Sequence, residues 1–346
     1  MTWCGWRRSW AATLQTPARC GPCRRWRPCW GSGLARNRVR ARCRVGHALL
    51  ARPHRADIRK TLEKNMIKLA LTDLDDTLIP VGAPRATDRA IAAMHAMVDA
   101  GLHVGPVTGR VPSAMGWMFA GDATCFATGA FCNGQMVYID GELTHQEVLD
   151  PASLARAQDV LEDVEGAALA VYDVFGDGQA ILIKRNVASL EGHPEVMSEV
   201  GHPTRAELGP MPWIKANVHV SGPRERLVRV RDLLRAECPG LDFVFPSPTA
   251  PLIDITPHGW DKAAGVRELA CELGVTLEEV ATFGDSENDL PMISAVPNSV
   301  AVANASADVA KAARWHIGPS RDDSVAAALE QIAAAAPTGD IPAFMR

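Results

Sequence analysis

Residues 67–80 of this chain read IKLALTDLDDTLIP, a short apolar run that ends abruptly in acids and a threonine. Such a run is typical of a buried parallel strand and here predicts a strand with carboxylates at its C-terminal end. Open α/β sheets bind their ligands at that end. Side chains two apart on a strand point the same way, so Asp73 and Asp75 are expected to share one site, where a cation or a proton must offset their repulsion. A solvated acidic turn is the alternative interpretation, because Asp is common in turns.

Three further segments place polar side chains at a strand end or a helix start. The predicted strand His103–Val107 ends in Thr108-Gly109-Arg110, which offers a hydroxyl and a free backbone N–H to an anion. Lys262 lies in the first turn of a predicted helix, where a positive charge opposes the helix dipole. The predicted strand Val280–Phe283 is followed by GDSEND, residues 284–289. Each segment taken alone is also consistent with an ordinary turn, a helix cap or a surface lysine.

The order of the predicted elements indicates an α/β protein with an inserted module. Strands and helices alternate before and after residues 150–248, whereas that segment pairs its strands as hairpins and suggests an α+β cap domain. We therefore expect a discontinuous core with a Rossmann-like, doubly wound parallel sheet in residues 66–149 and 249–335. This division assigns the strand Leu252–Ile255 to the core, and it leaves residues 336–346 as a frayed tail.

The first 65 residues differ from the rest of the chain in charge. They hold 16 Lys+Arg against 2 Asp+Glu, a net charge of +14, so the remaining 20 Lys+Arg and 38 Asp+Glu give −18. A continuous apolar stretch typical of a secretory signal is missing, but the Arg-rich, acid-poor composition leaves a transit peptide open. We favour a third interpretation, a non-native or disordered extension before a start at Met66, because the first core strand follows at once. The sequence Cys20-Gly21-Pro22-Cys23 matches a thioredoxin dithiol motif only in its letters, since no strand precedes it.

Charge, hydropathy and cysteine content restrict the class of partner. An acidic body is a poor binder of nucleic acid, although a small phosphorylated substrate is compatible with it if a local cation masks the repulsion. No apolar run reaches the roughly 18 residues that cross a bilayer, so no membrane partner is expected. The remaining cysteines have no disulfide or metal spacing and are expected to be small buried thiols of a cytoplasmic protein; they are Cys125, Cys132, Cys238 and Cys271. The sequence carries no signal for oligomeric state.

In this order, the motifs DxD-T, TGR, Lys and GDxxND resemble those of the haloacid dehalogenase superfamily of phosphohydrolases. The most similar group is the Cof-like phosphatases, in which a large α/β cap of the C2 type is inserted between the second and third motifs. The resemblance extends from Met66 to about Ile332. Two departures are Asp76, where many members have Gly, and Asp323-Ser324, where the family often has Asp-Gly. The first concerns the shape of a loop and the second a helix cap.

The resemblance implies a Mg²⁺-dependent phosphatase that acts through an aspartyl-phosphate. Asp73 would be the nucleophile and a direct ligand of Mg²⁺. Asp75 would protonate the leaving oxygen, activate water and touch the metal with its backbone carbonyl. Phosphate esters are anions, so a cation and fixed dipoles are needed to offset charge, and Mg²⁺ prefers hard oxygen ligands. The remaining implied metal residues are Asp285 and, behind it, Asp289. The implied phosphate-binding groups are Thr108 and Lys262, both also catalytic, with Gly109 and Asn288, and nearer the mouth Asn133 and Arg110.

Other functions fit parts of the sequence. A phosphomutase or a narrow sugar-phosphate phosphatase would use the same fold and the same motifs. A catalytically silent binding protein is less consistent with a complete set of motifs, and a redox or nucleic-acid module is disfavoured by the acidic body. We expect the substrate to be a small phosphorylated metabolite, either a sugar phosphate or a phosphorylated cofactor, and we expect the inserted module to select it.

Overall fold

The computed structural model describes residues 66–194, 196, 204–209 and 211–346, so the predictions about residues 1–65 lie outside the described part of the chain. The described strands are β1 (Leu69–Thr72), β2 (His103–Pro106), β3 (Gly129–Phe131), β4 (Met136–Ile139), β5 (Glu142–Gln146), β6 (Ala167–Tyr172), β7 (Ala180–Ile183), β8 (Thr204–Arg205), β9 (Lys215–Val220), β10 (Leu241–Val244), β11 (Leu252–Pro257), β12 (Val280–Gly284), β13 (Asn298–Ala301) and β14 (Trp315–His316). The α-helices are α1 (Asp88–Asp99), α2 (Met115–Met118), α3 (Pro151–Glu162), α4 (Arg224–Glu237), α5 (Lys262–Glu272), α6 (Leu290–Ala295), α7 (Ala307–Ala312) and α8 (Ser324–Ala335).

The central sheet is parallel, with the strand order β14-β13-β12-β1-β2. From β1 the chain moves outward to β2, whereas the later strands are added on the other side of β1. The strand order therefore reverses between β1 and β12. In open α/β sheets this switch point, at the carboxyl ends of the strands, is where ligands bind.

Helices cover both faces of the central sheet. Ala70 of β1 belongs to the apolar cluster that includes buried residues of α1 and α8. Its neighbours Leu69 and Leu71 belong to the cluster formed with α5, α6 and α7. Successive residues of a strand point to opposite faces, so β1 has to be apolar throughout. The doubly wound α/β fold predicted from the sequence is confirmed.

A second sheet of six strands has the order β10-β11-β9-β6-β7-β8 and is antiparallel except where β7 meets β8. We call this sheet, together with α3 and α4, the cap. Apolar residues of β9 and β11, such as Val218 and Ile255, pack with Leu161 of α3 and Leu234 of α4. The alternate residues of β9 and β11 are polar and lie on the opposite face of the sheet.

The assignment of Leu252–Ile255 to the core sheet is wrong. This segment lies in β11, which pairs with β9 and β10 of the cap. Core strands are apolar on both faces, whereas β11 alternates Ile253 and Ile255 with the polar Asp254 and Thr256, which is the pattern of an antiparallel sheet with one polar face. The chain therefore leaves the cap sheet only after Pro257.

Two smaller expectations also fail. The end of the chain is packed rather than frayed, because Phe344 lies 6.3 Å from Phe283 between ring centroids and Met345 is buried. The four described cysteines are free thiols, but Cys271 is exposed. It lies near the end of α5, on the side of the helix that faces solvent. Among the described residues no helix is both long and apolar enough to cross a membrane.

Candidate active site

The two acidic strand ends meet at the switch point of the central sheet. Asp73 follows β1, and its N–H donates to the carbonyl of Phe283 in β12 at 2.9 Å. Asp285 follows β12, and its two carboxylate oxygens accept from the hydroxyls of Thr77 at 2.9 Å and Ser286 at 2.8 Å. Both carboxylates are buried. The strands thus bring Asp73 and Asp285 together, and local hydroxyls fix the orientation of Asp285.

Lys262 is fully buried between two of the acids. Its Nζ donates to Asp73 Oδ1 and to Asp289 Oδ1, both at 2.6 Å. The other oxygen of Asp289 accepts from the backbone N–H groups of Asp285 and Ser286 at 2.9 and 3.0 Å. The unfavourable position of a lysine in the first turn of α5 is therefore offset by two charge-assisted hydrogen bonds.

The acids of this site carry more negative charge than one lysine balances. Burial, and after it the carboxylate of Asp289, raises the pKa of Asp73 well above its usual range. The same two causes raise the pKa of Asp285 to about 7. Burial opposes the charged form of Lys262, but Asp289 and Asp73 outweigh it, so the pKa of Lys262 is raised.

Carboxylate oxygens of Asp73, Asp285 and Asp289 lie within 4.8 Å of one another. Hard oxygen donors at this spacing, with an excess of negative charge, fit a divalent cation such as Mg²⁺. Both oxygens of Asp289 and both of Asp285 are hydrogen-bonded within the site, whereas Asp73 has one bonded oxygen, to Lys262, among the described residues.

The Asp75 carboxylate is bonded to Arg110, outside the hydrogen bonds that link the other acids and Lys262. The Asp75 side chain is half-exposed, and Arg110 holds both of its oxygens, from Nε at 2.8 Å and from Nη2 at 2.7 Å. The guanidinium of Arg110 also lies 5.6 Å from the centre of the Trp117 ring, a cation–π distance. Asp76, where the resembling family often has Gly, adopts φ 62°, and Asn304 donates to its carbonyl at 2.8 Å. The loop therefore keeps a left-handed conformation in which glycine is the usual residue.

The turn after β2 contains Thr108 and Gly109, as predicted, and lies against two polar side chains. Thr108 is buried, and its Oγ accepts from the N–H of Arg110 at 3.2 Å. A Cβ at position 109 would lie 2.9 Å from Asp254 Oδ2 and 3.0 Å from Asn133 Oδ1. Only glycine allows both polar groups to approach this turn so closely.

Asn133 lies in the loop between β3 and β4 and has φ 58°. The loop packs on α5, because a Cβ on Gly265 would lie only 2.5 Å from the Cα of Gly134. Asn133 Nδ2 donates to Asp254 Oδ2 at 2.7 Å, and Asn288 Nδ2 approaches Asn133 Oδ1 at 3.4 Å. Asn288 Oδ1 is buried and has no hydrogen-bond partner among the described residues. Such a buried acceptor in a polar site is consistent with a bound ligand or water.

The sequence did not point to the cap residues at this site. Asp254 of β11 accepts from Asn133, and Lys215 of β9 donates to Asp254 Oδ1 at 2.5 Å. Both side chains are buried. The available signal was a charged residue on the polar side of each of two strands that alternate polar with apolar residues.

A cavity of about 200 Å³ lies between cap and core. Its lining includes the core residues Asn133, Lys262 and Asn288 and the cap residues Asp242, Val244 and Thr256, with Trp260 on the connection between them. Three of the predicted phosphate-binding residues, Asn133, Lys262 and Asn288, therefore adjoin a space into which the remainder of a substrate could extend.

An acidic cluster and a buried lysine thus lie together at the switch point of a parallel sheet, next to a cap. The family model of the haloacid dehalogenase-like hydrolases matches residues 70–329. The chain belongs to this family and is an enzyme of that hydrolase class, as the sequence motifs predicted.

Individual relatives are distant but extend over most of the chain. A putative phosphatase of Haemophilus influenzae is 22% identical over 284 residues, which cover 77% of this chain and 98% of that protein. An HMP-PP phosphatase of an Enterobacter species is 25% identical over 251 residues, covering 69% of this chain and 85% of the relative.

Solved structures show the same fold. A sugar phosphatase of HAD subclass IIB superimposes with a TM-score of 0.63 at 20% identity, covering 76% of this chain and 98% of the other. A Streptococcus mutans protein has a TM-score of 0.65 at 18% identity, with 78% and 99% covered. At these identities the likeness concerns the fold alone.

Proposed function

We propose that this protein is a Mg²⁺-dependent phosphatase of small phosphorylated metabolites and that it acts through an aspartyl-phosphate on Asp73. The observation that carries the proposal is the position of Asp73, which lies at the switch point, is held by Lys262 and faces Asp285 and Asp289. The Haemophilus and Enterobacter relatives, named as phosphatases, support the same reaction. Sugar phosphates and phosphorylated cofactors are the proposed substrates, and the cytoplasm is the proposed location.

The metal is assigned to the carboxylates of Asp73 and Asp285, with Asp289 behind them and the backbone carbonyl of Asp75 as a further oxygen. Bound there, Mg²⁺ would supply positive charge to the transferring phosphoryl group and to its leaving oxygen. These oxygens match its preference for hard ligands. The same charge would keep Asp73 and Asp285 ionised at pH values where burial otherwise favours their protonated forms.

Asp73 is the proposed nucleophile because one of its oxygens is bonded to Lys262, while the other has no hydrogen-bond partner among the described residues. Lys262 fixes the carboxylate and offsets charge as the phosphoryl group approaches. Thr108, the N–H of Gly109 and Asn288 are the proposed donors to the phosphoryl oxygens.

Asp75 is the proposed general acid and base. In this structure Arg110 binds both of its oxygens, so the two side chains have to part before Asp75 can reach a leaving oxygen. Arg110 is half-exposed and near the mouth of the site, where an anionic substrate offers it an alternative partner. Asn133 is proposed to contact the substrate from the opposite side.

Phosphate release from a panel of metabolites, with and without Mg²⁺, tests the proposal. Asp73→Asn keeps the shape of the side chain but removes the nucleophile, so turnover should fall by several orders of magnitude. Asp75→Asn should be nearly as damaging, because it removes the acid for the leaving group. Asp99→Asn, an exposed acid at the end of α1, is the matched control and should change nothing. Near wild-type turnover by Asp73→Asn, or turnover in EDTA, would contradict the mechanism.

A further inference from the structure

The cap buries polar side chains on the face of its sheet that lies away from α3 and α4. These residues, each less than 5% exposed, are Lys215, Asn217, His219, Asp254 and Thr256. A buried carboxylate and a buried ammonium are costly unless they are paired, and a sheet face that only had to pack on the core would be apolar. Packing on the core therefore does not explain why this face of β9 and β11 is polar.

Four buried side chains from the cap and the core form a continuous series of polar contacts. Lys215 Nζ donates to Asp254 Oδ1 at 2.5 Å, and Asn133 Nδ2 donates to Asp254 Oδ2 at 2.7 Å. Asn288 Nδ2 then approaches Asn133 Oδ1 at 3.4 Å. The series begins on cap strand β9 and ends beside Asp289, one of the acids bonded to Lys262.

The direction of these contacts is fixed by the carboxylate. An ionised Asp only accepts hydrogen bonds, so Asp254 requires the amide nitrogen of Asn133 to face it. The carbonyl oxygen of Asn133 is thereby turned towards Asn288 and the turn at Gly109, where a Cβ would lie 3.0 Å from it. If residue 254 were an amide, it could accept or donate, and Asn133 would be free to adopt either orientation. Asp254 thus decides which end of the Asn133 carboxamide faces the phosphate-binding turn.

We propose that Asp254, neutralised by Lys215, is a positioning residue through which the cap orients Asn133, whose carbonyl oxygen in turn holds the Asn288 amide group as a donor to the phosphoryl group. The inference rests on the proposed phosphatase function. It assigns to one cap residue an effect on the phosphoryl site itself, shared by every substrate, whereas the rest of the cap would contact the variable part of the substrate.

A double-mutant cycle between Asp254→Asn and Asn133→Ala tests this role. Alone, Asp254→Asn should lower kcat/KM about tenfold for every substrate that the wild type hydrolyses, including p-nitrophenyl phosphate, and should raise the inhibition constant of inorganic phosphate by a similar factor. In the Asn133→Ala background, Asp254→Asn should cause no further loss, because the group that it positions is absent. A full tenfold loss in that background, or a loss confined to some substrates, would overturn the proposal.

Lys184 provides the matched control for damage to the cap fold. It is also a buried cap lysine, but its Nζ donates to the carbonyl of Leu161 at 2.5 Å, at the end of α3. Lys184→Met should lower the melting temperature and leave kcat/KM and phosphate inhibition unchanged. An equal kinetic loss in this variant would reduce the role of Asp254 to cap stability and refute the proposal.

Two further measurements keep the outcomes distinct. If Asp254→Asn fails to fold, the Lys215→Met/Asp254→Asn variant removes both buried charges and should show the same kinetic loss. Turnover that survives Asp73→Asn would refute the proposed function. Additive effects in an enzyme that does depend on Asp73 would refute only the role of Asp254.

Discussion

Replacing Lys262 with Met removes the ammonium that bonds two buried carboxylates. Met has a similar length and no charge, so the change leaves the packing of α5 largely intact while Asp73 and Asp289 lose their bonds to Nζ. Asp285 remains close by, within the same group of carboxylates. The variant therefore concentrates buried negative charge that only protons or a metal can offset.

The size of the effect follows from the two contacts. Each charge-assisted hydrogen bond contributes about 1.5–3 kcal/mol, and loss of one partner of a buried ion pair costs about 3–5 kcal/mol. We expect the free energy of unfolding of metal-free protein to fall by about 3–5 kcal/mol at pH 8. At pH 5 the loss should be only about half as large.

The free energy of unfolding of the metal-free protein depends on pH through Asp73 and Asp285. The folded-state pKa values of Asp73 and Asp285 are raised, the latter to about 7, so the folded protein retains protons that the unfolded chain has released above about pH 4. Stability therefore falls as the pH rises from about 4 to about 7. Removal of Lys262 deepens this fall, because the ammonium that lowered both pKa values is gone.

Urea unfolding in EDTA at pH 5 and pH 8 measures the effect, and Mg²⁺ should restore much of the lost stability at pH 8. Lys184→Met is the control, because its buried ammonium bonds backbone carbonyls and lies outside the acidic cluster. The loss of unfolding free energy in Lys184→Met should differ little between pH 5 and pH 8. An equal loss for Lys262→Met at both pH values, or no response to Mg²⁺, would refute this account of the site.

Two further predictions concern titration. Burial lowers the pKa of His219 to about 4, so the folded state stays neutral while the unfolded chain binds a proton below about pH 6.5. Wild-type stability should thus fall between pH 6.5 and 4 by on the order of 2–3 kcal/mol more than that of His219→Leu, and parallel urea-unfolding profiles would contradict this. Because burial and Asp289 raise the pKa of Asp285 to about 7, Mg²⁺ must displace a proton at lower pH. Calorimetry should show Mg²⁺ affinity falling by up to about tenfold per pH unit below 7, and a constant affinity would be the contrary result.

The sequence predicted the parts of the site that depend on local pattern. The apolar run before Asp73 and the second strand before Asp285 both read as buried parallel strands, and parallel strands place their carboxyl ends at one edge. Lys262 was recognisable because it sits poorly at a helix start, and the structure supplies the compensating carboxylates. These predictions needed only the positions of the strand ends and the charge of a lysine at a helix start.

The parts that failed depend on contacts between distant segments. Asp254 lies in β11, whose alternating pattern fits the antiparallel cap sheet, but the strands with which it pairs are far away in the sequence. The hydrogen bonds from Arg110 to Asp75 join residues 35 positions apart, so no local pattern predicts them. The sequence shows Lys215 as a charged residue on the polar face of an alternating strand, but it does not show that Asp254 is its partner.

The central claim is that Asp73 carries the phosphoryl group during turnover. An acyl phosphate is reduced by borohydride to an alcohol, so trapping during turnover should convert Asp73 to homoserine, which mass spectrometry of the peptide containing residue 73 detects. We expect the modification only when substrate and Mg²⁺ are both present, and not in Asp73→Asn. Continued phosphate release with residue 73 unmodified, or with another carboxylate reduced in its place, would contradict the mechanism.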